Sequence, residues 1–304
     1  MNTTTYRAAV VRTPNGPDSI EIIDVPLTDP GPGQIRVAVA AAPVNPTDLG
    51  VVGGFFHTMG LIDQPHHTGL GWDFAGTVDA AGPGTDLAPG TRVAGVVVGF
   101  DRDFGTFAER LIVDAADVAP VPEGLDLASA STVPLSGLSA AQIVDLLGDA
   151  PDENRLLVTG AAGAIGANVV ALAIERGWRV TGLARAADED FVRSLGADFA
   201  TEAAPGWDAV VDTSSQQQWG LAPVRDGGTF VGVRPNIVPE VERGITVRTL
   251  MVEPAPARLG RLLDLAASGG LPTRVHAVLP LSRAAEAYKA TEQAGLRGRY
   301  VLQP

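Results

Sequence analysis

Residues 158–168 read V-T-G-A-A-G-A-I-G-A-N, with Gly160, Gly163 and Gly166 three apart. Between a strand and a helix, such a triplet can cradle a pyrophosphate. Gly160 lets the chain turn sharply, Gly163 lets the backbone approach the phosphates, and Gly166 lets helix and strand pack closely. Ala164 and Ile165 then open the helix, whose first amides and positive dipole end face the anion. Similar triplets also occur in tight turns that bind nothing, so the context decides. A strand-like run, Arg155–Thr159, precedes it, a helix-like run, Ile165–Arg176, follows, and a second strand, Arg179–Leu183, comes next. An NAD(H) enzyme carries Asp or Glu at the tip of that second strand, on the ribose diol. Here the tip reads Thr181-Gly182-Leu183-Ala184-Arg185. Arg185 is therefore read as the partner of a 2′-phosphate, and the cofactor as NADP(H). The competing reading is a solvated surface arginine, and Asp188 and Glu189 would oppose a phosphate. Thr213 and Ser214, and then Gly232 and Val233, end the following strands, where a binding crevice is expected.

The elements that must position these groups differ along the chain. The first 120 residues hold short β-branched runs, such as Ile35–Val39 and Arg92–Val98, between Gly/Pro clusters. This predicts a small β-barrel-type domain. From about Leu125 the texture changes. Ala128–Leu147 is helical in pattern, with interruptions expected near Pro134 and Gly137. Strand and helix then alternate (155–159, 165–176, 179–183, 189–195, 209–212, 228–233), as in a parallel sheet covered by helices. Pro256–Ser268 places Leu259, Leu262, Leu263 and Ala266 on one helical face. A strand-like Gly298–Leu302 closes the sequence.

Composition narrows the partners. The 304 residues are 45% apolar and 19% charged, which is globular and large enough for two domains. A net charge of -13 argues against nucleic acid or an anionic membrane as partner. A small phosphorylated ligand remains compatible, since one local arginine can hold it. No cysteine is present, which excludes disulfides and thiolate metal sites. Neither a secretory signal nor a run of roughly 20 apolar residues is visible, so a cytoplasmic protein is expected.

The motif Thr159-Gly160-x-x-Gly163-x-x-Gly166 is similar to the opening of extended short-chain dehydrogenases, which use a Tyr-x-x-x-Lys pair. The tyrosines are Tyr6, Tyr288 and Tyr300, and the one lysine, Lys289, adjoins Tyr288, so no such pair exists. Other stretches resemble the medium-chain dehydrogenase/reductase superfamily, in its zinc-independent quinone oxidoreductase-like branch. They are Val44-Asn45-Pro46-Thr47-Asp48, Gly71-Trp72-Asp73-Phe74-Ala75-Gly76-Thr77-Val78, Gly105-Thr106-Phe107-Ala108-Glu109, Pro134–Ala140, Arg193–Asp198 and Arg297-Gly298-Arg299. They follow the family's order and span nearly the whole chain.

The resemblance implies an α/β fold in three parts. A GroES-like β-barrel-type catalytic domain would occupy residues 1–123, and a Rossmann doubly wound parallel sheet binding NADP(H) residues 124–255. Residues 256–304 would return to the catalytic domain. It implies an NADPH-dependent oxidoreductase acting, without zinc, on an enone, quinone or related activated alkene. The alternative is the same fold with lost or redox-neutral activity: a nucleotide-binding structural or regulatory protein, or an isomerase or cyclase. A homodimer through the sheet edge near Gly244–Val252 is also implied. Zinc relatives carry G-H-E where this chain has Gly71-Trp72-Asp73; the pair His66-His67 reads as an exposed loop.

The resemblance places Asn45 at the pocket floor, against a plain Asn-Pro turn as the other reading. Asp48 is read as capping or orienting the loop. Ser139 matches a family threonine beside the cofactor. Relatives carry a tyrosine and an arginine where this chain has Gly50 and Val52, and a phosphate-binding lysine where it has Asp188. Phe55, Phe56, His57 and Met59 follow Gly50 and are expected to refill the space. His57 is the loop's only group titrating near neutrality, hence a candidate proton donor; a surface histidine is the alternative. Trp72 lines the pocket or fills the core.

Overall fold

β-Branched residues alternating with small or polar ones favour strands, and the first part of the chain folds accordingly. It forms β1 (Thr5–Val11), β2 (Ile20–Pro26) and β3 (Gln34–Pro43), then the short helices α1 (Pro46–Val52) and α2 (Phe55–Thr58). The strands β4 (Thr68–Gly69), β5 (Asp73–Ala81), β6 (Arg92–Val96), β7 (Arg110–Asp114) and β8 (Val118–Pro120) follow, then α3 (Leu127–Ser131). The second part alternates: α4 (Pro134–Leu147), β9 (Arg155–Thr159), α5 (Ala164–Glu175), β10 (Arg179–Leu183), α6 (Glu189–Ser194), β11 (Asp198–Ala200), β12 (Trp207–Asp212), β13 (Val224–Gly232) and β14 (Thr246–Thr249). The chain ends with α7 (Pro256–Ala267), β15 (Val275–Pro280), α8 (Ala284–Thr291) and β16 (Arg299–Gln303). These assignments come from a computed structural model describing residues 4–150, 155–293 and 295–304.

Two units result. The first holds the chain up to Leu135 with Pro254–Ser268 and Thr273–Pro304; the second holds Ser136–Glu253 with Gly269–Pro272. In the first, β2-β1-β4 make one sheet and β15-β16-β3-β5-β6-β8 another, with β7 on β3. Buried and half-buried residues alternate along β3, burying Ile35, Val37 and Val39, as the two-residue period requires. The C-terminal strand β16 pairs antiparallel with β3, Val301 opposite Pro43 and Leu302 opposite Ala42. The core of this unit includes Ile35, Val37, Phe74, Phe107, Tyr288 and Leu302.

The second unit is a six-stranded sheet of order β11-β10-β9-β12-β13-β14, parallel throughout. All of β12, W-D-A-V-V-D, is buried, as expected of a parallel strand covered on both faces. Leu156 and Val158 pack with Ile143 and Val144 of α4 and Val169, Val170 and Ala173 of α5. Leu157 belongs to a separate cluster with Val210, Leu221, Phe230 and Ile245.

The helix expected to break near Gly137 runs through it, because Gly137 is buried in α4, which starts at Pro134. Proline tolerates the first helical turn, so it begins this helix instead of interrupting it. Among the described residues no helix is long and apolar enough to cross a membrane.

Candidate active site

Register brings the C-terminal ends of the parallel strands into one row. Leu183 of β10 faces Thr159 of β9, Thr159 faces Asp212 of β12, Asp212 faces Gly232 of β13, and Gly232 faces Thr249 of β14. The residues expected at the cofactor lie in this row or just beyond it: Gly160, Gly163, Ala164, Ile165, Gly166, Arg185, Thr213, Ser214, Gly232 and Val233. Gly160 has φ 66°, a conformation that favours glycine, and Gly163 is the N-cap of α5. A Cβ on Gly166 would sit 2.2 Å from the Gly160 carbonyl oxygen, so helix and turn meet only without a side chain there. The first bond into the helix runs from the Ala167 N–H to the Gly163 carbonyl. The amides of Ala164, Ile165 and Gly166 are left at the open end. This arrangement fits a dinucleotide pyrophosphate.

Asp212, which the motif reading did not single out, organises the loop beyond the row. Fully buried, it accepts from the Thr159 hydroxyl (2.7 Å), the Ser214 N–H (3.1 Å) and hydroxyl (3.0 Å), and the Gln217 N–H (2.6 Å). The Thr213 hydroxyl donates back to the Thr159 carbonyl (2.6 Å). Both predicted hydroxyls, on Thr213 and Ser214, are thus engaged within the protein. Ser139 is buried on α4, one turn from Ser136, whose hydroxyl accepts from Asn168 of α5 (3.2 Å). Arg185 follows β10 with an exposed side chain, 3.3 Å from the buried Asp188 carboxylate. Glu189 is paired with Arg193 at 2.8 Å.

In the first unit, Asn45 caps α1 ahead of Pro46. Its N–H donates to Asp48 (2.8 Å), and its carboxamide donates to the Pro43 carbonyl (3.2 Å) and to Asp73 (3.0 Å). Its side-chain oxygen accepts from Arg299, which also donates to Asp73 at 3.1 Å. Asn45, Asp73 and Arg299 are all buried, so the amide is committed to an internal ion pair. The resemblance did not signal this use.

Burial sets the electrostatics here. It pushes the Asp48 carboxyl up to about 7, against the pull of the Asn45 N–H and Arg102. It also raises Asp73, opposed by Arg299, and lowers Arg299. Tyr288, buried near Asp48, is raised well above the ordinary phenol value. Arg102 is lowered to about 10, with its guanidinium 4.8 Å from the Trp72 ring centroid.

The space beside Gly50 is filled by an aromatic ring: a Cβ on Gly50 would lie 2.6 Å from Phe56. Phe56 stacks on Phe100 (4.0 Å between centroids), and Phe100 meets Trp72 edge-on (5.1 Å). Trp72 is buried, whereas Phe55 and Met59 remain exposed. His57, on α2, has Nε2 3.4 Å from the Thr68 hydroxyl. Its Nδ1 is buried without a hydrogen-bond partner among the described residues. Burial lowers its pKa, so the neutral ring predominates at neutral pH.

Residues 31–123 match the family described as alcohol dehydrogenase GroES-like domain, and residues 185–302 the family described as zinc-binding dehydrogenase. The pikromycin polyketide synthase component PikAII of Streptomyces venezuelae is 31% identical over 302 residues, spanning 90% of this chain. This chain spans only 8% of that protein's length. The acrylyl-CoA reductase AcuI of Ruegeria pomeroyi is 33% identical over 193 residues, 60% of this chain and 56% of the relative. In fold, the chain is similar to the quinone oxidoreductase of Coxiella burnetii (TM-score 0.89, 21% identity), covering 99% of this chain and 100% of that one. A zinc site takes three or four suitable ligands. This chain has no cysteine and four histidines, and no metal-holding group of three or more His, Asp or Glu occurs among the described residues. The described residues do not fit zinc. The chain belongs to the medium-chain dehydrogenase/reductase superfamily of nicotinamide-dependent oxidoreductases.

Proposed function

We propose that the protein is a zinc-independent, NADPH-dependent reductase of an enone, quinone or related activated alkene. The observation that carries this reading is a glycine turn that fits a dinucleotide, in a chain whose described residues supply no metal-ligand set. An alcohol or ketone reaction needs a Lewis acid or a placed proton donor such as a Tyr-x-x-x-Lys pair; the described residues supply no metal-ligand set, and the sequence has no such pair. An activated alkene needs chiefly orientation, a dry surround and a donor for charge developing on its carbonyl oxygen. The names of the acrylyl-CoA reductase and quinone oxidoreductase relatives agree with this substrate class.

When bound, the nicotinamide supplies the reducing equivalent. The glycine turn and the open end of α5 hold the pyrophosphate, and Ser139, Thr213, Ser214, Gly232 and Val233 line the cofactor's path. Arg185 binds the 2′-phosphate; pairing of Asp188 with Arg185 and of Glu189 with Arg193 offsets part of the two carboxylates' opposition to it. Asn45 acts as a positioning residue, holding the α1 segment onto Asp73 and Arg299. His57 donates a hydrogen bond or proton to the substrate's oxygen, with the neutral imidazole N–H as the donor at neutral pH.

Pairing of the β14 edges would make a homodimer. That strand ends the sheet, and Val238, Val241 and Met251 are exposed on the chain flanking it. Light scattering is expected to show a dimer; a monomer contradicts this part. A cytoplasmic location suits a dinucleotide-dependent reductase. The reaction itself is tested by NADPH oxidation against a panel of enones and quinones after exhaustive chelation. Undiminished turnover supports the proposal. Tight NADPH binding without turnover would favour the redox-neutral alternative, and activity lost to the chelator would overturn zinc independence.

A further inference from the structure

Beyond the residues assigned above, the loop after β12 carries a side chain with no assigned task. Gln217 is 8% exposed and sits in the left-handed region at φ 57°, close after Ser215 at φ 61°. Such backbone conformations are costly for residues other than glycine and persist where the surroundings impose them. Here the imposing contacts are visible. The Gln217 N–H is held by Asp212 at 2.6 Å, and its amide nitrogen donates to the Ile237 carbonyl. That second bond fixes which end of the amide is oxygen. The oxygen, Oε1, is buried without a hydrogen-bond partner among the described residues. It lies beside Gly232 at the end of β13; a Cβ there would sit only 3.3 Å from it. A buried amide acceptor left unmatched is costly and calls for a donor.

Strand order indicates which donor. A dinucleotide crosses the C-terminal ends of such a sheet, its adenosine ribose at the tip of the strand next to the glycine turn strand. Here that strand is β10, on one side of β9, while β12 and β13 lie on the other. Gln217 therefore stands on the nicotinamide side. The carboxamide N–H2 is the donor there whose placement decides which ring face is presented. We propose that Gln217 Oε1 accepts a hydrogen bond from the nicotinamide carboxamide and so orients the ring; this rests on the dinucleotide reading above.

The test titrates the full chain with NADP+, with its 3-acetylpyridine analogue, which lacks the carboxamide N–H2, and with 2′,5′-ADP, which lacks the nicotinamide half. Wild type is expected to bind the analogue about three- to tenfold more weakly than NADP+. Gln217→Met should bind the two nearly equally and keep 2′,5′-ADP affinity within about twofold, since one hydrogen bond is at stake. Unchanged discrimination in the variant overturns the proposal, as does a parallel loss for 2′,5′-ADP, which a merely structural role would give. Should the variant not fold, equal wild-type affinity for NADP+ and the analogue overturns it, and weaker analogue binding supports it. Wild type that binds none of the three contradicts the dinucleotide reading itself.

Discussion

The glycine turn of the second unit and the Asn45–His57 segment of the first use similar residues in opposite ways. At the turn, backbone alone is presented, and side chains are excluded: a Cβ on Gly166 would strike the Gly160 carbonyl. Polar side chains nearby brace that backbone: the Thr159 and Ser214 hydroxyls bond Asp212, and the Thr213 hydroxyl bonds the Thr159 carbonyl. In the 45–57 segment, conspicuous polar side chains turn inward instead. Asn45 is spent on Pro43, Asp73 and Arg299, and the surface beside Gly50 is aromatic. A binding site made of backbone constrains residue type and is written in local spacing. A site made of side chains depends on partners far along the chain.

The sharpest way to break this contrast is to disturb the buried pair. Asp73→Asn leaves Arg299 charged and unpaired in the interior, and should destabilise the protein by about 3–5 kcal/mol in urea denaturation. A loss below about 1 kcal/mol, the range of exposed pairs, would show that Asn45 is not held by an ion pair of structural weight. The corresponding change in the second unit is milder. Arg185→Ala, at an exposed side chain, should weaken NADPH about ten- to a hundredfold, the range for a charged hydrogen bond, and leave NADH nearly unchanged. Equal losses for both cofactors would remove the phosphate role.

The third effect is graded. The folded Asp48 carboxyl titrates at about 7, above the ordinary value near 4. Between these values the folded state holds a proton that the unfolded state has lost. Its contribution to stability is therefore full below about pH 4 and is lost as pH rises through about 7, by at most about 1.4 kcal/mol per unit. Denaturation across this range should show Asp48→Asn with a flatter decline than wild type. Identical slopes would mean that Asp48 is ionised in the fold.

Legibility in the sequence followed the same division. The strand–glycine–helix unit, the absent acid beside Arg185 and the apolar stripe of α7 could all be read from spacing, because each is a local requirement of backbone or helix geometry. Asp212 and Gln217 could not. An acid closing an apolar strand and one glutamine in a run of three carry no periodic signal, and their roles appear only when β9, β12 and β13 align. Phe56 was legible as a candidate filler near Gly50, but its stacking on Phe100 depends on a residue 44 positions away.

The central claim is reduction of an activated alkene by NADPH. It is tested most directly by mixing the chelator-treated protein with an enone and NADPH deuterated at the transferable position, and locating the label by NMR. Deuterium at the carbon β to the carbonyl, in a saturated ketone, is the predicted result. Deuterium on the carbonyl carbon of an alcohol, or no labelled product from any enone together with no NADPH oxidation by quinones, would contradict it.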